Sequence, residues 1–267
     1  MTVSSIEPSP NPTVPASTTV RPPRRLRHLS LADVIVTPAV LLAVLAALMV
    51  YLNSRELDDI EQRSINWPTI SRLLVEHIQL VAVSSLLVIA IAVPTGVLLT
   101  RPALRHASGP ILALANLGQA VPSIGVLVLL AVTVGTGFRM AIIALVLVAF
   151  LSVLRNTIVG LMGVDRALID AARGMGLTKT RVLFLVELPL SVPVMLAGIR
   201  VALILNVGNA ALASYTNAGG LGTLIQAGIA LNRMPVLITG CVLAAVLALT
   251  LDWLAGVVER VVRPRGL

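Results

Sequence analysis

Charged residues are scarce in this chain of 267 residues, at 12% of the total, where soluble domains carry roughly 25%. So few charges cannot coat a water-facing surface, which excludes an ordinary soluble globular protein. Cysteine occurs once, as Cys241 inside an apolar run, so neither a disulfide framework nor a cysteine metal cluster can form. The three histidines, His28, His77 and His106, are spread over a Pro-rich leader, a helix entry and a loop. They offer no convergent acid–base or metal-ligating set, which argues against a membrane-embedded enzyme. The seven aromatics (Tyr51, Trp67, Phe138, Phe150, Phe184, Tyr215, Trp253) are equally scattered. The sequence shows neither an inverted repeat with matching helix breaks nor an intramembrane acidic relay. A stand-alone ion-coupled transporter usually has both.

What the chain has in abundance is apolar sequence: 57% of residues and a mean hydropathy of +0.97. A bilayer-spanning helix needs about 20 apolar residues. Six segments meet that length: Val34–Leu52, Ile78–Thr100, Ile111–Val134, Met140–Val159, Val192–Ala213 and Val236–Val258. The predicted fold class is therefore an all-α polytopic membrane protein with about six transmembrane helices. Residues 1–30, rich in Pro, Ser and Thr and then basic, read as a disordered cytoplasmic tail. Residues 31–75 read as a first anchor and outer loop, 76–260 as the main transmembrane domain, and 261–267 as a short basic cytoplasmic tail.

The formal charge of +8 is read as a positive-inside bias, ahead of nucleic-acid binding. With the amino terminus inside, Arg21, Arg24, Arg25, Arg27, Arg101, Arg105, Arg155, Arg166, Arg173, Lys179, Arg181, Arg260, Arg263 and Arg265 fall on the inner side. Arg55, Arg63, Arg72, Arg139 and Arg233 fall outside. That asymmetry predicts a multi-pass protein of the cell membrane with both termini cytoplasmic. Pro94, Pro122 and Pro193 lie in or near spans, where proline removes a backbone hydrogen bond. Each admits a simple kink or a role in gating.

One polar segment, Asp165 to Pro189, interrupts the apolar pattern. It is predicted to form a short helix over about Arg166–Met175, with Asp165 accepting hydrogen bonds from the first free amides. Gly176 suits the left-handed position just past the helix end. Ala167 and Ala171 share one face, as do Leu168 and Ala172. Small side chains there would let the helix seat in a groove of another protein, with Arg166, Asp170 and Arg173 at the flanks. A lipid-surface helix would instead present bulky anchors. Gly174 to Thr180 superficially suggests a phosphate loop, but that pattern needs glycine directly before the lysine, and Thr178 precedes Lys179.

Asp170-Ala171-Ala172, Gly176 and Val186-Glu187-Leu188-Pro189 resemble the cytoplasmic Glu-Ala-Ala loop of permease subunits in ATP-binding-cassette importers. The spacing matches throughout, with Asp170 for Glu and Val186 for Ile. Gln119-Ala120-Val121-Pro122-Ser123, Leu154-Arg155-Asn156-Thr157, Glu187 to Leu190, Ala197 to Arg200 and Ala218-Gly219-Gly220-Leu221-Gly222 are further similar to the osmoprotectant-importer permeases. The resemblance covers about residues 75 to 260 and implies a type I importer permease fold with a cytoplasmic coupling helix. It implies that Arg166, Ala167, Asp170, Ala171, Ala172, Arg173, Gly174 and Gly176 dock on an ATP-binding-cassette ATPase present in two copies. It also implies a second permease subunit, identical or paralogous, and a separate extracytoplasmic solute-binding protein. The chain itself then holds no cofactor, since ATP binds the partner. The implied cargo is a quaternary ammonium osmoprotectant (glycine betaine, choline or carnitine), with methionine or a sulfonate as the alternative.

Gln119, Pro122, Ser123, Asn206, Asn209, Tyr215 and Asn217 are the candidates for a translocation path. Polar side chains in spans can instead hydrogen-bond neighbouring helices. Arg200 and Asp252 are unusual as charges within apolar runs, and Glu76 and His77 are expected to be solvated at an interface. Gly219, Gly220 and Gly222 are expected to let the backbone turn, with Leu224 to Ala230 either a short helix or a loop. Scattered aromatics are not expected to build a cage for a quaternary cation. Selection of the cargo is thus expected to lie with the binding protein.

Overall fold

The computed structural model describes residues 31–262, so the expected tail at 1–30 and the last five residues lie outside the described part. Eleven α-helices are described: α1 (Leu31–Asn53), α2 (Asp59–Ser64), α3 (Trp67–Leu99), α4 (Ser108–Ala120), α5 (Ser123–Thr133), α6 (Phe138–Met162), α7 (Arg166–Gly174), α8 (Lys179–Val182), α9 (Leu188–Leu212), α10 (Gly222–Ala230) and α11 (Met234–Val262). There is no strand among the described residues. α11 runs through Val262, two residues into the segment expected as a tail.

Among the described residues, five helical runs are long and apolar enough to cross a membrane: Ile35–Asn53, Trp67–Leu99, Phe138–Met162, Lys179–Thr216 and Met234–Arg260. The third expected span is the exception. It is divided into α4 and α5 by Val121 (ψ 127°) and Pro122 (ψ 131°). The proline ring disfavours helical backbone at Val121, and Pro122 has no N–H to return to Gly118. Pro94 and Pro193 lie inside continuous helices instead. Ahead of Pro189 the chain widens into a single π turn, Leu183–Glu187, closed by the Leu188 N–H on the Leu183 carbonyl. Such a turn accommodates the missing N–H without ending the helix.

Polar capping fixes the starts of α2 and α3. Asp58 and Glu61 form a reciprocal capping box on α2, and Asn66 accepts from the Thr69 N–H at the start of α3. α6 is the central helix, packed most extensively against α9 and α3. In lipid, close packing rather than water exclusion holds helices together, so small residues are favoured at the contacts. Gly160 lies against Ser191, and Gly198 lies so close to Asn156 that a Cβ would overlap it. Ala144, Ala149 and Ala202 are fully or nearly fully buried on the same two helices. α1 rests chiefly on α11 and leaves Ile35, Leu42, Met49 and Val50 exposed, as suits a peripheral helix bathed in lipid.

The alternating helices define two ends. One carries α7, the π turn and the α3–α4 connection. The other carries α2, the Gly219–Gly220 turn and α10.

Candidate functional site

α7 forms as the sequence predicts. The Asp165 carboxylate accepts from the Ala167 N–H at 2.9 Å. At its far end the Leu177 N–H reaches the Ala172 carbonyl and the Gly176 N–H reaches Arg173, with Gly176 at φ +85°. This paired arrangement satisfies the last carbonyls and needs a left-handed residue that glycine supplies without strain. Ala167, Ala171 and Gly174 lie exposed on the outward side, with Arg166, Asp170 and Arg173 along one edge and Leu168 and Met175 along the other. Ala172 departs from the expectation. It is only 3% exposed and, with half-buried Ile169, forms the inner face by which α7 sits on the bundle. Its position follows from the helical phase, 140° or more from the Ala167 side.

Beside α7 the guanidinium of Arg101, just past α3, donates from both terminal nitrogens to the two carboxylate oxygens of Glu187 in the π turn. A two-pronged contact of this kind fixes orientation as well as distance. Arg101 also donates from Nε to the Val97 carbonyl at 3.3 Å, tying the pair to the α3 terminus. Arg101, Glu187, Arg166 and Ile169 line a cavity of about 240 Å³ at the base of α7.

The path candidates divide. Asn206 is fully buried and donates to Ser85 Oγ at 3.0 Å. It therefore joins α9 to α3 through its amide nitrogen, while its Oδ1 is buried without a hydrogen-bond partner. Asn209 donates to its own Leu205 carbonyl. Pro122 is exposed and opens α5, and Ser123 is half-buried on that helix's first turn. The Gln119 side chain lies outside what is described. Tyr215 and Asn217 do come together, on the wall of a cavity of about 710 Å³ at the α10 end. Phe138 lines the same cavity, so two of the scattered aromatics share one site after all. They lie 77 positions apart in the chain, a proximity that no local pattern signals.

His77 is not solvated as expected, whereas Glu76 remains partly exposed. His77 is fully buried; its Nδ1 accepts from the Leu221 N–H at 3.2 Å, and its Nε2 lies 3.2 Å from the Val207 carbonyl. A carbonyl only accepts, so the ring is neutral with its proton on Nε2. Glu76 accepts from the Gly220 N–H at 3.0 Å and pairs with Arg72. Together they clasp the glycine turn against α3. Gly219 (φ +80°) and Gly220 (φ +86°) supply the turn. Gly222 has another role: a Cβ there would come within 1.8 Å of the Ala211 carbonyl oxygen, so it permits the close approach of α10 to α9. Leu224 to Ala230 are helical, within α10.

No group of three or more metal-ligating side chains occurs among the described residues. The 2 charged residues singled out within spans are paired, Arg200 with Asp252 at 2.8 Å, and Glu259 joins them at 3.1 Å.

Residues 89–264 match the family described as the binding-protein-dependent transport system inner membrane component. Among relatives, the osmoprotectant import permease protein OsmY of Salmonella typhimurium is 43% identical over 178 residues, covering 67% of this chain and 75% of the relative. The choline transport system permease protein OpuBB of Bacillus subtilis is 38% identical over 192 residues, covering 72% and 88%. The glycine betaine/carnitine/choline transport system permease protein OpuCB of the same organism is also 38% identical, with the same coverage. Of solved structures, an inward-facing MetNI methionine ABC transporter aligns over 73% of this chain and 96% of that one, with TM-score 0.64 and 28% identity. An amino acid ABC transporter aligns with TM-score 0.63 at 16% identity, over 77% and 99%, and shares the fold. With the helical bundle, the motif-spaced α7 segment and these likenesses agreeing, the chain belongs to the inner membrane components of binding-protein-dependent transport systems: it is a multi-pass transport subunit of the ABC importer permease type, not an enzyme.

Proposed function

We propose that this subunit forms the membrane path through which an ATP-driven importer takes up quaternary ammonium osmoprotectants such as glycine betaine, choline and carnitine. Relatives named for osmoprotectant, choline or glycine betaine/carnitine/choline transport are 33–43% identical, against 28% for the methionine transporter, which favours the osmoprotectant reading over methionine. The α7 end faces the cytoplasm in this reading, because the inner loops carry the larger share of arginine. Both termini are then inside.

The observation that carries the mechanism is the outward face of α7, where Ala167, Ala171 and Gly174 stand clear of the bundle. This face seats in a groove of a partner ATPase, and Arg166, Asp170 and Arg173 orient it at the rim. Two ATPase copies closing on ATP draw two permease subunits together through these helices. A change in the ATPase reaches the spans by way of α7, the Arg101–Glu187 contact and the α3 terminus. Hydrolysis then resets the assembly. The solute arrives at the α10 end from a separate extracytoplasmic binding protein. The translocation path runs between this subunit and its permease partner, past Pro122, Ser123, Asn209, Tyr215 and Asn217.

The experiment is uptake by proteoliposomes holding this chain with its ATPase, permease partner and binding protein. ATP-dependent accumulation of radiolabelled glycine betaine, choline or carnitine is expected, with methionine excluded. Accumulation of methionine and none of the three would overturn the assignment.

A further inference from the structure

The cavity of about 710 Å³ at the α10 end gathers aromatic, cationic and anionic groups from distant parts of the chain: Phe138, Tyr215, Arg72 and Glu76, with the amides of Asn217 and Gln226 beside them. Its volume falls within the range usual for small-ligand sites, about 300–1,000 Å³. Backbone geometry brings the two rings to one wall. The Gly137 N–H donates to the Thr216 carbonyl at 2.8 Å, which joins the residue before Phe138 to the residue after Tyr215. Gly137 at φ +107° and Asn217 at φ +60° make the two turns. Both rings remain open to a ligand, Phe138 at 39% and Tyr215 at 46% exposure.

The charged pair is asymmetric. Glu76 is committed twice, to the Gly220 N–H and to Arg72 Nη1 at 2.7 Å. Arg72 gives that bond from one nitrogen, and its side chain is 62% exposed. A guanidinium has five N–H donors, so it retains a fork for a second carboxylate.

We infer that this cavity is an acceptor site for a zwitterionic quaternary ammonium solute, its trimethylammonium head against Phe138 and Tyr215 and its carboxylate on Arg72. The inference rests on the function proposed above. A quaternary ammonium group donates no hydrogen bond and is held by aromatic faces, whereas a carboxylate is matched by the guanidinium fork. The rings and the guanidinium line one cavity, so each end of a betaine has a partner of the right chemistry there. Glu76 keeps Arg72 partly neutralised, so the carboxylate is held and still released, as a conducting path requires. Choline has the head group without the carboxylate and loses half of the recognition.

The test is equilibrium dialysis of the assembled transporter in lipid nanodiscs, without binding protein, against radiolabelled glycine betaine, choline and 3,3-dimethylbutanoate. The last has the shape and carboxylate of glycine betaine with no positive charge. Glycine betaine is expected to bind about tenfold more tightly than either comparison ligand. Phe138→Leu and Tyr215→Leu should each weaken it about tenfold, Tyr215→Phe should retain it, and Arg72→Gln should reduce it to the level of choline. Equal binding of 3,3-dimethylbutanoate, a comparison that needs no variant, would overturn the proposal. So would the absence of saturable betaine binding, or unchanged affinity in both leucine variants. If the complete transporter still accumulates glycine betaine while the cavity binds none, this site fails and the proposed function stands. If no quaternary ammonium solute is accumulated, the proposed function itself fails.

Discussion

Arg200 of α9 holds two carboxylates of α11 at once, Asp252 Oδ1 at 2.8 Å from Nη2 and Glu259 Oε2 at 3.1 Å from Nη1. The two acids are seven residues apart, two helical turns, so both fall on the face turned to α9. Nε of Arg200 also donates to Asp252, at 3.0 Å. A charge within a span is costly when alone, and this three-membered cluster removes the cost while crossing α9 to α11.

Replacing Arg200 by Met strands two acids against apolar surroundings. Since about a quarter of each side chain is exposed, the loss of stability is set at about 1–3 kcal/mol, below that of a fully buried pair. Thermal unfolding in detergent should show a lowered midpoint. The triple variant Arg200→Met, Asp252→Leu, Glu259→Leu should recover most of it. A midpoint unmoved by Arg200→Met would mean that the cluster is energetically silent.

On α7, neighbouring alanines should respond differently. Ala171 is exposed and Ala172 is 3% exposed. Ala171→Trp is expected to leave expression and thermal stability unchanged while ATPase co-purification and ATP-dependent uptake are lost. Ala172→Glu places a carboxylate under the helix and should destabilise α7 itself by about 1–3 kcal/mol. Normal uptake by Ala171→Trp would remove the docking face from the mechanism.

The Arg101–Glu187 contact links the α3 terminus to the π turn beside α7. Arg101→Ala should reduce solute moved per ATP hydrolysed several-fold while ATPase docking persists, because the helix stays in place but its attachment to the bundle loosens. The charge reversal Arg101→Glu with Glu187→Arg should restore part of that coupling. Equal transport per ATP in the single variant and the unaltered protein would show that the contact carries no signal.

His77 pins the glycine turn by accepting the Leu221 N–H. His77→Phe fills the space but leaves that buried donor without a partner, a cost of about 1–3 kcal/mol. Hydrogen exchange at the Leu221 amide should accelerate by about fivefold to a hundredfold, 1.4 kcal/mol being one decade. His77→Gln, which retains an acceptor, should show less. An unchanged exchange rate in His77→Phe would indicate that the backbone turn holds itself.

Runs of apolar residues made the membrane-crossing helices legible, because a bilayer demands length and hydrophobicity from each span in isolation. α7 was legible for a related reason: Asp165, the alanines and Gly176 act within one or two turns of each other. The break at Pro122 was visible as a proline but not as the end of a helix, since Pro94 and Pro193 carry the same chemistry and leave their helices continuous. Packing decided among them.

Side-chain orientation was harder to read. Helical spacing separates Ala171 from Ala172, but packing chose which face meets the bundle: Ala172 is seated and Ala171 is exposed. Asn206 is polar in a span, and its donation to Ser85, 121 positions away, joins α9 to α3 there. His77 was expected in water and lies under the Gly219–Gly220 turn.

Alone, the sequence determined that this chain lives in a membrane as a helical bundle and carries one small-faced helix at its end, because those properties depend on composition and spacing over short range. The tertiary structure decided that Phe138 and Tyr215 share a cavity with Arg72, that Arg200 faces two acids, and that Asn206 meets Ser85. Those relationships join residues far apart in the chain, and their proximity is set by how whole helices pack, which no local pattern encodes.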